Sequence, residues 1–273
     1  MNKTENRKEI ISLFIVFAIE MVVMVAISFG LSKLGINVPL IVRSIIIYIA
    51  LLTPVIVYAK NKGGLDAKSF GIKKIKGKTI LYTVLLTIVS APMYMLANLI
   101  SQFFVPNTIV QNSDNIMAGP LIFPFIAMAV LAPVCEEYIC RGFFANRMNK
   151  LMPFWVAAVI SGIMFGALHL NINQFSYAVV IGVVFAYANR ASGSTITSMI
   201  SHSIINGVSF VIVYAGRMVA ANSGLNFADT LETARNNQSE MLSGLAFYGV
   251  LAVFSFILTR KIIRTIAKSE GNV

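Results

Sequence analysis

The chain has 273 residues, of which 57% are hydrophobic and 12% charged. About 25% charged is usual for a soluble domain, so this composition excludes one; the net charge of +11 does not indicate a nucleic-acid binder, because the basic residues sit at helix ends and in short loops. Apolar runs approaching the roughly 20 residues that cross hydrocarbon recur, while the strictly alternating segments of a membrane β-barrel do not, and the fold class is therefore all-α, a polytopic membrane protein.

Eight spans are predicted, at about 9–30, 39–59, 79–105, 119–147, 153–170, 174–189, 194–216 and 242–260. The first carries Glu20, which we expect to be paired inside the bundle with a hydroxyl or a backbone group. Its apolar stretch is too long for a cleaved leader and no small-x-small site follows, so it reads as an uncleaved span. Between the second and third spans lies KNKGGLDAKSFGIKKIKGK, whose lysines should rest on anionic headgroups. The fifth and sixth spans are short for full crossings.

Eighteen of the 22 Lys and Arg residues fall on the side of the N-terminus, leaving Lys33, Arg43, Arg217 and Arg235 for the other side. By the positive-inside rule both termini are cytoplasmic and the loop 217–241 lies outside. No internal repeat and no soluble domain is visible, so residues 1–273 read as a single integral membrane domain. Abundant Lys, Ile and Asn, without a targeting peptide, lead us to expect a bacterial plasma-membrane protein.

Ionisable groups within a membrane cost about 2.5–3.5 kcal/mol on insertion scales, so each needs a reason. The fourth span contains CEEYICRG, residues 135–142. Cys135 and Cys140 are about 140° apart on a helix, which suits neither a disulfide nor a shared metal, and they read as small buried hydrophobes. Glu137 and Arg141 are four apart and share a face on which they can pair. Glu136 points about 100° away and is left without that partner. The fifth span holds FGALHLN, with Phe165 and His169 four apart, preceded by Gly162 and Gly166, a strip that permits close helix approach. The seventh holds SHSIINGV, with His202 and Asn206 four apart.

A lone histidine or asparagine in a span is more often an interhelical hydrogen-bonder than a catalytic group. Here, however, the only two histidines of the chain both read as lying in apolar helices. With a turn near Met152 and Pro153, Glu137 and His169 lie sixteen residues to either side and come level across the hairpin. Glu, His, His and Asn converging on one cavity can activate water and stabilise an oxyanion.

The three motifs, Glu136-Glu137-x-x-x-Arg141, Phe165-x-x-x-His169 and His202-x-x-x-Asn206, resemble the signature of the CPBP intramembrane protease family. That family contains the CAAX prenyl proteases of the Ras-converting type and the bacterial Abi or bacteriocin-processing proteins. The similar core covers about 119–210, and SFGIKK in the basic loop also looks like the family. The resemblance implies a catalytic cavity built by spans four to seven and peptide hydrolysis without an acyl-enzyme. It implies Glu136 as general base, His169 holding the water, His202 and Asn206 on the oxyanion side, and Glu137 and Arg141 bracing, with Phe165 in support. Its cofactor is either a divalent metal such as zinc, with His169, His202 and Glu136 as ligands, or none. The substrate would be a membrane-associated peptide or small membrane protein. The competing readings are a non-catalytic immunity or regulatory protein of the same fold, and a proton-coupled transporter, against which the lack of a repeat argues.

Overall fold

The computed structural model describes residues 3–33, 38–62 and 64–272, and no strand occurs among them. Besides two single turns, Thr108–Gln111 and Ser113–Ile116, the helices are α1 (Lys3–Lys33), α2 (Leu40–Lys62), α3 (Gly77–Gln102), α4 (Ile122–Met148), α5 (Phe154–Ala167), α6 (Ile172–Ser192), α7 (Ile196–Asn222), α8 (Phe227–Asn236) and α9 (Gln238–Glu270). Seven of them are long and apolar enough to cross a bilayer, and α5 and α8 are not. The chain is thus a polytopic helical membrane protein.

The fifth predicted span is apolar but has only 14 residues, about 21 Å of helix against roughly 30 Å of hydrocarbon. The sequence HLNIN ends it early. Leu170 takes a left-handed φ of 50°, and the Asn171 side chain accepts the N–H of Gln174 to start α6. The sixth span, at 21 residues, is long enough after all. Helix α8 is an addition within the loop 217–241, started by Asn226, whose side chain accepts the N–H groups of Ala228 and Asp229.

Helix α4 is not uniform. Two stretches, Ala127–Leu131 and Tyr138–Ala145, are wound in wide π turns, with hydrogen bonds reaching back five residues. Pro133 accounts for one consequence. In the wide register the N–H of Ala132 bonds the carbonyl of Ala127, and the donor due to Met128 would be residue 133, which has no N–H. The Met128 carbonyl is thereby left for a side chain. In the second stretch the Cys140 carbonyl takes the hydroxyl of Ser161 on α5 at 2.9 Å.

Helix α6 packs along α5 and α3, and α9 packs along α3. The glycine strip of α5 faces α6. A Cβ on Gly162 would come within 3.0 Å of the Val179 carbonyl oxygen, and a Cβ on Gly182 would stand 2.7 Å from the Gly162 Cα and 2.6 Å from Nη2 of Arg141. Only glycines allow this contact, and the space they leave holds the guanidinium.

The basic loop has a second feature beyond its lysines. Its lysines Lys68, Lys73, Lys74, Lys76 and Lys78 are exposed, but SFGIKK is docked onto protein rather than spread on a surface. Phe70 is buried, stacked on Tyr138 at 4.2 Å. The Phe70 and Gly71 carbonyls accept the hydroxyl and N–H of Thr195 at 2.9 and 2.8 Å. Glu20 departs from expectation: it is fully buried, and neither carboxylate oxygen has a hydrogen-bond partner among the described residues. Cys135 and Cys140 are free, the second buried.

The crowding at Gly182 makes a stability prediction. Gly182→Ala should lower the thermal midpoint in detergent, at an overpacking cost of about 1–3 kcal/mol. Gly207→Ala is the control, since its Cβ would meet nothing closer than 3.7 Å, and it should leave the midpoint nearly unchanged.

Candidate active site

Helix α4 presents its two adjacent carboxylates to different surroundings. Glu137 is fully buried, and Glu136 keeps 14% of its side chain exposed. Oε1 of Glu137 accepts from Nη1 of Arg141 at 2.8 Å and from Nδ1 of His202 at 3.1 Å. The i,i+4 pair read from the sequence therefore forms, with a histidine from α7 as a second donor. The Arg141 guanidinium lies 4.3 Å from the Phe165 ring centre and 5.5 Å from that of Phe185. Those faces offset part of what it loses on leaving water, and Arg141 is itself only 1% exposed.

His202 joins the two glutamates. Its Nδ1 carries the proton given to Glu137, because a carboxylate only accepts. Its Nε2 then faces Oε2 of Glu136 at 3.8 Å. That distance is too long for a direct hydrogen bond and short enough for one water to touch both groups. The remaining oxygen of Glu136, Oε1, accepts the phenol O–H of Tyr48 on α2 at 2.5 Å.

His169 is placed differently from the sequence reading. It lies in the turn after α5 rather than within a helix, and Glu137 meets His202 instead of it. The early end of α5 is the cause. Nδ1 of His169 bonds the Phe165 carbonyl at 3.0 Å, which fixes its proton there and leaves Nε2 as the free lone pair. Both imidazoles meet the ring of Phe165 edge-on, with centroids 5.1 Å away for His169 and 5.3 Å for His202. Phe165 thus separates and positions the two histidines.

One turn along α7 from His202, Asn206 donates to the Met128 carbonyl at 2.9 Å, the acceptor that Pro133 leaves without a backbone donor. The second hydrogen of its amide is not used in that bond.

The donor set does not fit a metal. No group of three His, Cys, Asp or Glu side chains among the described residues converges as a ligand set. The nearest approach to one, Glu136 with His202, has a guanidinium salt-bridged beside it. The residues are arranged around a water and a proton instead. Tyr48 was missed by motif reading; a tyrosine in an apolar helix reads as an ordinary core or interface residue.

The site lies within a segment that resembles a known family of membrane peptidases. Residues 118–208, a third of the chain, match the family described as type II CAAX prenyl endopeptidase, Rce1-like, and the three motifs lie within that stretch. YdiL of Bacillus subtilis (strain 168), described as a candidate membrane peptidase, is 25% identical over 100 residues. The alignment covers 37% of this chain and 39% of that relative. No solved structure matches the chain.

Removing the cation from beneath Glu137 should be costly. Arg141→Ala strands a fully buried carboxylate with His202 as its remaining donor, and breaking such a pair costs about 3–5 kcal/mol. The expected readout is a clearly lowered thermal midpoint in detergent. Arg141→Lys should recover only part of it, since an ammonium cannot lie flat between two rings as a guanidinium does.

Proposed function

We propose that the protein is an intramembrane endopeptidase that hydrolyses a peptide bond with water activated by Glu136. The observation that carries this reading is the asymmetry of the carboxylate pair. Glu137 is paired with Arg141 and His202, whereas Glu136 is partly open and 3.8 Å from Nε2 of His202, where one water beside the pair can touch both. The family match over 118–208 supports the same reading.

In the proposed reaction a water between Glu136 and His202 gives a proton to Oε2 of Glu136. Its oxygen adds to the scissile carbonyl carbon. Nε2 of His169, its lone pair freed by the bond to Phe165, accepts the water's other hydrogen and orients it. The free amide hydrogen of Asn206 meets the charge on the carbonyl oxygen, and His202, one turn away on α7, holds Glu137 and borders the water. Glu136 then passes its proton to the leaving nitrogen, the C–N bond breaks, and a carboxylic acid and an amine depart. No covalent enzyme intermediate and no metal enters these steps.

We place the protein in a bacterial plasma membrane with both termini cytoplasmic, on the distribution of its Lys and Arg residues. The substrate class that fits is a membrane-associated peptide or small membrane protein, because the site is built from the apolar spans themselves.

Glu136→Gln should abolish cleavage of peptides by the purified protein while the midpoint and detergent-phase size stay those of wild type. Retained cleavage would exclude Glu136 as the base. His169→Ala and His202→Ala should each inactivate, and the double variant should be no worse than either, since they serve one water. A double variant that loses the product of the two single effects would show that they act on separate steps.

A further inference from the structure

Tyr48 belongs to none of the three motifs and lies outside the matched segment 118–208. Its bond to Oε1 of Glu136, at 2.5 Å, is at the short end of the range of about 2.5–2.7 Å for a hydroxyl donating to a charged oxygen. No other hydrogen bond to Glu136 forms among the described residues. Arg141 Nη1 and His202 Nδ1 both go to Glu137. Tyr48 is thus the hydrogen-bond partner that fixes Glu136, and without it a glutamate with three rotatable torsions would stand half-open with no set orientation.

The bond divides the work of the carboxylate. Oε1 is held by the phenol, and Oε2 is turned to Nε2 of His202 across the 3.8 Å gap. We propose that Tyr48 is the positioning residue of the general base: it selects which oxygen of Glu136 faces the water and holds it there through the proton transfer. This rests on the peptidase reading of the site and names a part of it that the motifs do not contain. The ring of Tyr48 also packs on the buried core, so Phe at this position keeps the packing and removes only the donor. A role in packing alone predicts no effect of that change; a positioning role predicts a specific one.

The test uses the full-length protein purified in detergent, as wild type, Tyr48→Phe and Glu136→Gln. For Tyr48→Phe we expect kcat to fall about 10- to 100-fold, the worth of one hydrogen bond to a charged group. KM should stay within about twofold, since a positioning role acts on Glu136 and not on the substrate, and the thermal midpoint should be unchanged. Infrared difference spectra give a readout that needs no turnover. The carboxylate stretching band that disappears in Glu136→Gln should shift in Tyr48→Phe. An unshifted band, or a kcat within about threefold of wild type, overturns the proposal. A wild-type protein that cleaves no peptide would overturn the peptidase reading separately, while the band shift or its absence still decides whether Tyr48 holds Glu136.

Discussion

Everything about this site follows from one constraint: a carboxylate on Glu137 with no access to solvent, in a bundle of apolar helices. An isolated ion there is untenable, so it must be met by a cation on the spot. Arg141 meets it from one turn away, and the guanidinium needs a flat space of its own. That space exists because Phe165 and Phe185 supply its faces and because Gly162 and Gly182 let α5 and α6 touch at the backbone. The glycine strip, the phenylalanine of the second motif and the arginine of the first are thus parts of one solution. Once Glu137 is satisfied, its second donor, His202, is fixed in ring orientation, with one nitrogen turned to Glu136.

The wide turns of α4 serve the same end. An α-helix satisfies its own carbonyls and offers nothing to neighbours. Winding to a five-residue register, and placing Pro133 five residues after Met128, breaks that closure at one carbonyl, which Asn206 then takes. A polar side chain in a span is anchored by a local fault in the helix it faces. The Cys140 carbonyl does likewise for Ser161.

The sequence was legible where the physics is local. Long apolar runs gave the class, and the i,i+4 spacing gave the Glu137–Arg141 pair. The pairing of helices was harder. A hairpin drawn with ideal helices put His169 level with Glu137, but α5 stops early at HLNIN, and His169 swings into the turn while His202 arrives from α7. The π turns could not be read either, since they arise from packing as well as from Pro133. The loop KNKGGLDAKSFGIKKIKGK read as a surface for headgroups because seven lysines dominate its composition, while the residue that docks it, Phe70, is one aromatic among them. Glu20 was expected to find a partner and has none among the described residues; we have no physical account of its burial.

Glu20 sharpens what marks the site. Three glutamates of this chain are set into apolar helices, at positions 20, 136 and 137, and the most deeply buried are not the one we propose as the base. Burial alone gives Glu20 nothing to act on, and Glu137, paired at Oε1 with Arg141 and His202, is held as a fixed charge. Glu136 differs in being held at one oxygen and left open at the other. The groups that create this condition come from four places in the chain: Tyr48 on α2, the pair on α4, His202 on α7, and Phe70 from the docked loop, which stacks on Tyr138 where the second wide turn begins. Two of the four lie outside residues 118–208. On the proposed reading, the matched segment supplies the reacting groups, and the flanking helix and loop help to aim the base.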